Sequence, residues 1–324
     1  MAKASQLDVG GRTVNVTNLE KVLYPGTGFT KGDLINYCIR ISPVLLPHLK
    51  DRPITLKRYP DGVDGFFFYE KKCPSHRPKW VKTTRVAKSE GGEINYCLMN
   101  DLPALVWAAN LADLELHTFL HRAAAVGRPT TIAFDLDPGP PADIVVCCQV
   151  GLRLKAIFDA LGMESFAKTS GSKGLQVYVP LNTPVTYKRT KAFAHALAQF
   201  LERQYPETVV SRMQKSLRRG KVLVDWSQND DHKTTINVYS LRAKSRPTVS
   251  TPVTWEEVSE TLKRKESGVL AFEYDDVLKR VEKIGDLFAP VLQLKQKLPR
   301  LDALNRLSNL AAKDAVRGKA ISAS

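Results

Sequence analysis

In the stretch TIAFDLDPG, Asp135 and Asp137 stand one residue apart at the end of an apolar run, just before a Pro-Gly break. Strand alternation puts Ile132, Phe134 and Leu136 on one face and both acids on the other. Side by side, two carboxylates repel. Both stay ionised only if a cation lies between them, and hard oxygen ligands select Mg²⁺ or Mn²⁺. A third acid, Asp225 of VLVDWSQND, also follows an apolar strand-like run. Three carboxylates can hold two ions about 4 Å apart, the arrangement that activates an attacking hydroxyl and steadies the leaving oxygen in phosphoryl transfer. A DxD before Pro-Gly also reads as turn chemistry, and the motif alone does not choose.

The segment KTSGSKGLQVYV sets two glycines, two serines and a lysine between strand-like runs. Backbone N–H groups with Ser170, Ser172 and Lys173 could cradle a phosphate chain there, although a polar hairpin would read the same way. GxxxxGK[ST] is absent, so this is not a Walker loop. His117 and His121 are spaced i, i+4 on what reads as a helix, but without the glutamate of HExxH a zinc site is disfavoured. His117 then suits a phosphate or hydroxyl donor, and His121 packing or surface. Arg242, in INVYSLRA, can bind a triphosphate bidentately.

Elements to position these groups can be read from the pattern. Thr30 with Asp33 and Thr254 with Glu257 make two capping boxes, the second starting a last helix at Trp255. PITLKRY, TIAFDLD, KVLVDW and INVYSLRA read as strands; DIVVCCQVGLRLKAIFDALG and KRTKAFAHALAQFLERQYP read as helices. DLPALVWAANLADLELHTFL is apolar on most faces, so its first part predicts a buried helix. Strands and helices interleave without strict βαβ order. The expectation is an α+β fold, mixed and antiparallel sheets flanked by helices, in two interleaved lobes over residues 1–299. Residues 300–324, with Leu301, Leu304, Leu307 and Leu310 at helical spacing, suggest an appended helix and a disordered end.

Composition narrows the partner. The 324 residues carry 48 Lys and Arg against 33 Asp and Glu, a net charge of +15 that favours polyanions. Arg212 to Lys221 is one basic stretch; Lys71 to Lys88, threaded with Phe66, Phe67, Phe68, Tyr69 and Trp80, is another. Cations track phosphates while rings stack on bases. No apolar run is long enough to span a membrane and the start lacks a secretory core, so a cytoplasmic, nucleoid-associated protein is expected. Five cysteines without a CxxC pair suggest reduced, buried thiols.

Taken in order, TNLEKVLYP, GFTKGDL, TLKRYPDGVDG, FYEKKCP, LELH, FDLDPG, KTSGSKGL, VDWSQN and YSLRAKSRPTVSTPVTWEEV resemble the archaeo-eukaryotic primase superfamily. Within it, the chain is similar to the polymerase domain of bacterial ligase D over roughly residues 10 to 290. The resemblance implies template-directed addition of NTPs or dNTPs to a primer 3′-hydroxyl at gaps and double-strand breaks in non-homologous end joining, beside Ku and an ATP-dependent ligase. By carry-over, Asp135, Asp137 and Asp225 hold two Mn²⁺ or Mg²⁺ ions. Lys57, His117, Ser170, Lys173 and Arg242, with Gln228 nearby, hold the incoming nucleotide. Asn18, Lys21 and Lys31 grip a 5′-phosphate on gapped or broken DNA, and Phe68 and Tyr69 stack on it. Gln176 stands where relatives often have His, and the spacer from His117 to Asp135 is short. Two other readings compete: a non-catalytic 5′-phosphate end-binding module, which has no use for three convergent acids, and a de novo primase, which needs a second nucleotide site.

Overall fold

The computed structural model describes residues 4–304. The chain opens with a hairpin of β1 (Ala4–Val9) and β2 (Arg12–Thr17), then a short pair, β3 (Val22–Tyr24) and β4 (Phe29–Thr30). Helix α1 (Lys31–Leu49) begins at a reciprocal cap in which the Thr30 hydroxyl accepts from the Asp33 N–H and the Asp33 carboxylate accepts from the Thr30 N–H. Next come β5 (Pro53–Arg58), β6 (Phe68–Glu70), β7 (Thr83–Ala87), β8 (Glu93–Leu98), the buried helix α2 (Leu102–Asn110) and β9 (Asp113–Thr118). The second half runs β10 (Thr131–Pro138), α3 (Ile144–Ala160), β11 (Phe166–Thr169), β12 (Leu175–Pro180), α4 (Tyr187–Gln204), β13 (Val209–Val210) and β14 (Val222–Asp225). It ends with β15 (Thr235–Ile236), β16 (Leu241–Ala243), β17 (Pro247–Val249), β18 (Pro252–Val253), α5 (Trp255–Arg264), α6 (Tyr274–Ile284) and α7 (Pro290–Gln293).

Two six-stranded sheets carry the site. One is ordered β15-β9-β5-β8-β7, with β6 paired to β5; the other is β13-β14-β10-β12-β11-β18. Among the described strands, only β13 and β14 pair in parallel. The lobes interleave as expected, because β15 follows β14 in the chain yet pairs with β9 in the first sheet. Helices α3 and α4 pack on the second sheet, sealing Ile132, Phe134 and Leu136 with Leu154, Phe158 and Leu197. Its other face is turned to the first sheet, where Ala133 and Tyr178 join Ile54, Leu116 and Leu241. A one-residue slip of β10 would drive both aspartates under α3, so the alternation fixes the register.

Four expectations need correction. Cys73 and Cys97 form a disulfide, because the loop after β6 lies along β8 with the Cys73 N–H donated to Asn95; Cys38, Cys147 and Cys148 are the free, buried thiols. His117 and His121 are not on a helix: α2 ends at Asn110, Ala112 turns the chain at φ 58°, and His117 falls on strand β9 while His121 follows it. INVYSLRA is two short strands, β15 and β16, rather than one. The helix at Trp255 is followed by two more. The appended helix and disordered end expected from the sequence lie, from residue 305 onward, outside the described residues. Among the described residues, no helix is long and apolar enough to cross a membrane.

Asn229 of the VDWSQN motif fixes how the chain leaves β14. That strand pairs with β10 only from Asp135 onward. The fully buried Asn229 amide substitutes for it, accepting from the Ala133 N–H at 3.0 Å and donating to the Ala133 and Trp226 carbonyls at 2.7 and 2.9 Å. Asn229→Ala strands the Ala133 N–H and carbonyl at about 1–3 kcal/mol each, while the Trp226 carbonyl keeps the residue 229 N–H. Thermal denaturation should show a melting temperature lower by several degrees; an unchanged value would mean the amide does not hold the two strands.

Candidate active site

The DxD acids and the third aspartate meet through sheet register. Asp135 on β10 pairs directly with Asp225 on β14, and Asp137 lies two residues along the same face. The row continues sideways, because Gln176 on β12 pairs with Asp135 and Lys168 on β11 pairs with Gln176. Four side chains therefore cross the sheet in the order Lys168, Gln176, Asp135, Asp225. Burial first, then the charges of Asp137 and Asp225, push the Asp135 carboxyl up to about 7, against the Gln176 hydrogen bond and the Lys168 charge. Burial likewise pulls the fully enclosed Lys168 ammonium down to about 7. It donates to Ser250 Oγ at 2.6 Å and the Ile236 carbonyl at 3.2 Å. Asp225 is aimed by Ser227, whose N–H and hydroxyl both donate to Oδ1, and by Gln228 donating to Oδ2 at 3.2 Å.

Three carboxylates brought this close, with hard oxygen donors and a raised Asp135, fit divalent ions: the repulsion that disfavours the ionised trio is what a dication relieves. Asp135 and Asp137 line a cavity of about 340 Å³ between the two sheets, together with His117, Ser170, Lys173, Gln176, Gln228 and Arg242. Ser172, Thr234, Thr235, Ile236 and Lys244 complete it.

The KTSGSKG loop is built to approach closely. Gly171 has φ +67°, and a Cβ there would sit 2.7 Å from Arg242 Cγ and from the Ser250 nitrogen; one at Gly174 would come within 2.4 Å of the Leu136 carbonyl. The expected backbone cradle is only partial. The N–H groups of Ser172 and Gly174 donate inward to Ser170 Oγ, at 3.3 and 3.1 Å. Lys173 donates to the Pro138 carbonyl. Arg242 donates from Nη1 to the Ser170 carbonyl at 2.5 Å, binding the loop to β16.

Lys57, on the other sheet, does not line that cavity. Its ammonium sits 3.5 Å from Glu115 and lies over Tyr59, Phe67 and Tyr69 at 5.2, 4.7 and 5.3 Å from the ring centroids. Phe68 and Tyr69 are neighbours on β6 and so face opposite sides: Tyr69 packs edge-on to His117, whereas Phe68 covers Arg58 and stacks on Phe66. Phe66, Phe67 and Tyr69 are exposed.

Asn18, Lys21 and Lys31 form a separate corner. The Lys21 N–H donates to the Asn18 carbonyl at 3.0 Å and the Lys31 N–H to the Lys21 carbonyl at 2.8 Å. Lys31, 5% exposed, donates only to neutral oxygens, Thr17 Oγ1 and the Asn110 carbonyl. Burial, then the Lys21 charge, lower its pKa. Lys21 pairs with Asp61 at 2.9 Å.

Sequence reasoning missed Glu115, Lys168 and Lys244. The first was visible as the polar partner of His117 in alternating LELH; a buried lysine such as Lys168 has no local signal. Asp230, Asp231 and His232 also lie close enough to share an ion. Lys191 already neutralises Asp230 at 2.5 Å.

The model of the "LigD, primase-polymerase domain" family matches residues 30–288. This chain belongs to that family. The LigD primase-polymerase domain is a nucleotidyltransferase, and Asp135 and Asp137 share one cleft of this chain with Lys173, Arg242 and Lys244, with Asp225 paired to Asp135 beside it. The chain is 40% identical over 280 residues to the multifunctional non-homologous end joining protein LigD of Mycolicibacterium smegmatis, spanning 86% of this chain and 36% of that protein. It is 32% identical over 292 residues to the bifunctional LigD of Bacillus subtilis, spanning 90% of this chain and 46% of that one. The chain therefore corresponds to less than half the length of these relatives. Among solved structures it resembles the polymerase domain of Mycobacterium tuberculosis ligase D in complex with DNA, with a TM-score of 0.81 and 38% identity over 87% of this chain and 99% of that one.

The raised Asp135 sets a sign for stability. The folded state holds a proton that the unfolded chain releases near pH 4, so without divalent ions stability falls as pH rises from about 4 to about 7. Asp135→Asn removes that loss. Melted in EDTA at pH 8, the variant should be more stable than the natural chain by several degrees, and at pH 4 the difference should vanish; a variant less stable at both pH values contradicts the repulsion.

Proposed function

We propose that this chain is a template-directed polymerase that extends a primer 3′-hydroxyl with NTPs or dNTPs at gaps and breaks bearing a 5′-phosphate. The observation that carries the reading is the cross-strand pairing of Asp135 with Asp225, with Asp137 on the same face of a cleft walled by cations. In it, Asp135, Asp137 and Asp225 hold two divalent ions, Mn²⁺ or Mg²⁺, which when bound activate the 3′-hydroxyl and neutralise the pyrophosphate that leaves. Gln228 and Ser227 orient Asp225, and Gln176 orients Asp135. Arg242, Lys173, Ser170 and His117 receive the triphosphate, with Lys57 at the rim beside Tyr69. No side chain serves as nucleophile.

Lys31 and Lys21, with Asn18, suit the 5′-phosphate: Lys31 is a desolvated ammonium hydrogen-bonded only to neutral oxygens, and an anion is its natural counter-charge. Phe68 and Tyr69 offer stacking faces to the DNA. The same reading gives the chain a role in non-homologous end joining in the bacterial cytoplasm, at the nucleoid, with Ku and an ATP-dependent DNA ligase as partners. A pure end-binding module would be hindered by three acids beside a phosphate backbone.

Primer extension on a 5′-phosphorylated gap, with ribo- and deoxyribonucleotides in Mn²⁺ and in Mg²⁺, tests this. The natural chain should add nucleotides. Asp137→Ala should lose at least 100-fold of that activity while binding the gapped duplex with affinity within about threefold. Retained synthesis removes Asp137 from the ion site, and no synthesis by the natural chain in either ion overturns the reading.

A further inference from the structure

One carboxylate in the cleft wall belongs to none of the roles above. Glu115 on β9 is 1% exposed and does not line the cavity, yet both of its oxygens are fully engaged. Oε1 accepts from the Ala243 N–H at 3.1 Å and lies 3.3 Å from Arg242 Nε. Oε2 lies 3.0 Å from His117 Nε2 and 3.5 Å from Lys57 Nζ. Burial alone would raise its pKa. The His117 hydrogen bond and the charges of Arg242, His117 and Lys57 overcome that and hold the carboxyl well below the usual range.

Two cations, Lys57 and Arg242, and the His117 imidazole, whose pKa burial lowers, thus share one buried anion across three strands. Lys57 faces Glu115 directly in the β5–β9 register, His117 stands two residues along the same face of β9, and Arg242 comes from β16. Without the carboxylate Lys57 and Arg242 would repel each other and turn to water. Because Glu115 accepts from Nε2, that nitrogen carries the proton, and Nδ1 is the atom His117 can offer elsewhere. Arg242 keeps Nη1 on the Ser170 carbonyl, so the anion also ties the KTSGSKG loop on the second sheet to β9 on the first. A hub of this kind preorganises positive charge before a polyanion arrives, at the desolvation cost of a buried charge.

We propose that Glu115 is a positioning residue for the nucleotide: it sets Arg242, His117 and Lys57 in the array that meets the triphosphate. The inference rests on the assignment of that cleft to the incoming nucleotide, and the test separates the two. Steady-state extension kinetics are compared for the natural chain, Arg242→Gln, Glu115→Gln and the double variant, with melting temperatures for each. Glu115→Gln keeps the size of the side chain and an acceptor for Ala243 but loses the charge. It should raise the nucleotide KM at least tenfold with kcat within about threefold, and the double variant should be no worse than about twofold beyond the poorer single one. If Arg242→Gln leaves KM unchanged, the cleft is not the triphosphate site. If Arg242→Gln raises KM but Glu115→Gln does not, or if the two effects multiply, Glu115 does not act through Arg242 and the proposal fails. Should Glu115→Gln not fold, Glu115→Asp retains the charge on a shorter stem. It must then raise KM at least threefold at a melting temperature near that of the natural chain; an unchanged KM refutes the positioning role.

Discussion

Like charges held at a fixed separation are the constraint from which this structure follows. Asp135 and Asp225 oppose each other across β10 and β14, with Asp137 two residues along the same strand, and main-chain pairing fixes that arrangement. A sheet is suited to this task because its register is locked by main-chain hydrogen bonds and by the buried face beneath. Ile132, Phe134 and Leu136 sit in a core sealed by α3 and α4, so the acids cannot turn inward. Burial and mutual repulsion raise the Asp135 carboxyl, and a divalent ion beside the three acids would relieve the repulsion.

The opposite wall solves the complementary problem. There Lys57 and Arg242 are positive, and Glu115 keeps them together with the His117 imidazole as the acids are kept together by strand pairing. Lys168 stands at the end of the acid row, two strands from Asp135, and its buried ammonium offsets part of the negative potential without entering the cavity. The cleft therefore has an acidic floor on the second sheet and cations, Lys173, Arg242 and Lys244, around it, with Arg242 gripping the Ser170 carbonyl. A nucleoside triphosphate with divalent ions matches that polarity. The interleaving of the lobes is what makes the junction rigid, since β15 crosses from one sheet to the other beside the cavity.

What could be read from the sequence was what depends on neighbours in the chain. Period-two alternation placed Asp135 and Asp137 on one face, and the capping boxes at Thr30 and Thr254 started their helices as expected. Pairings distant in sequence were not legible from pattern: that Asp225 faces Asp135, that Lys168 ends the same row, and that Cys73 meets Cys97. The histidines were misplaced because an apolar stretch masked the helix end at Asn110, although DLELHT alternates as a strand should. Glu115 is legible in LELH as a polar neighbour of His117, but not its charge-sharing role, which needs Lys57 and Arg242 brought to it from elsewhere in the chain. The motif order of the family supplied the candidate site that alternation alone left open.

The central claim is that the three acids converge to bind divalent ions, and anomalous scattering at the manganese edge measures that directly. In crystals grown with Mn²⁺ and a nucleoside triphosphate, two peaks about 4 Å apart should lie within bonding distance of the carboxylates of Asp135, Asp137 and Asp225. Peaks confined to Asp230 and His232, or none at the aspartate row, would contradict it.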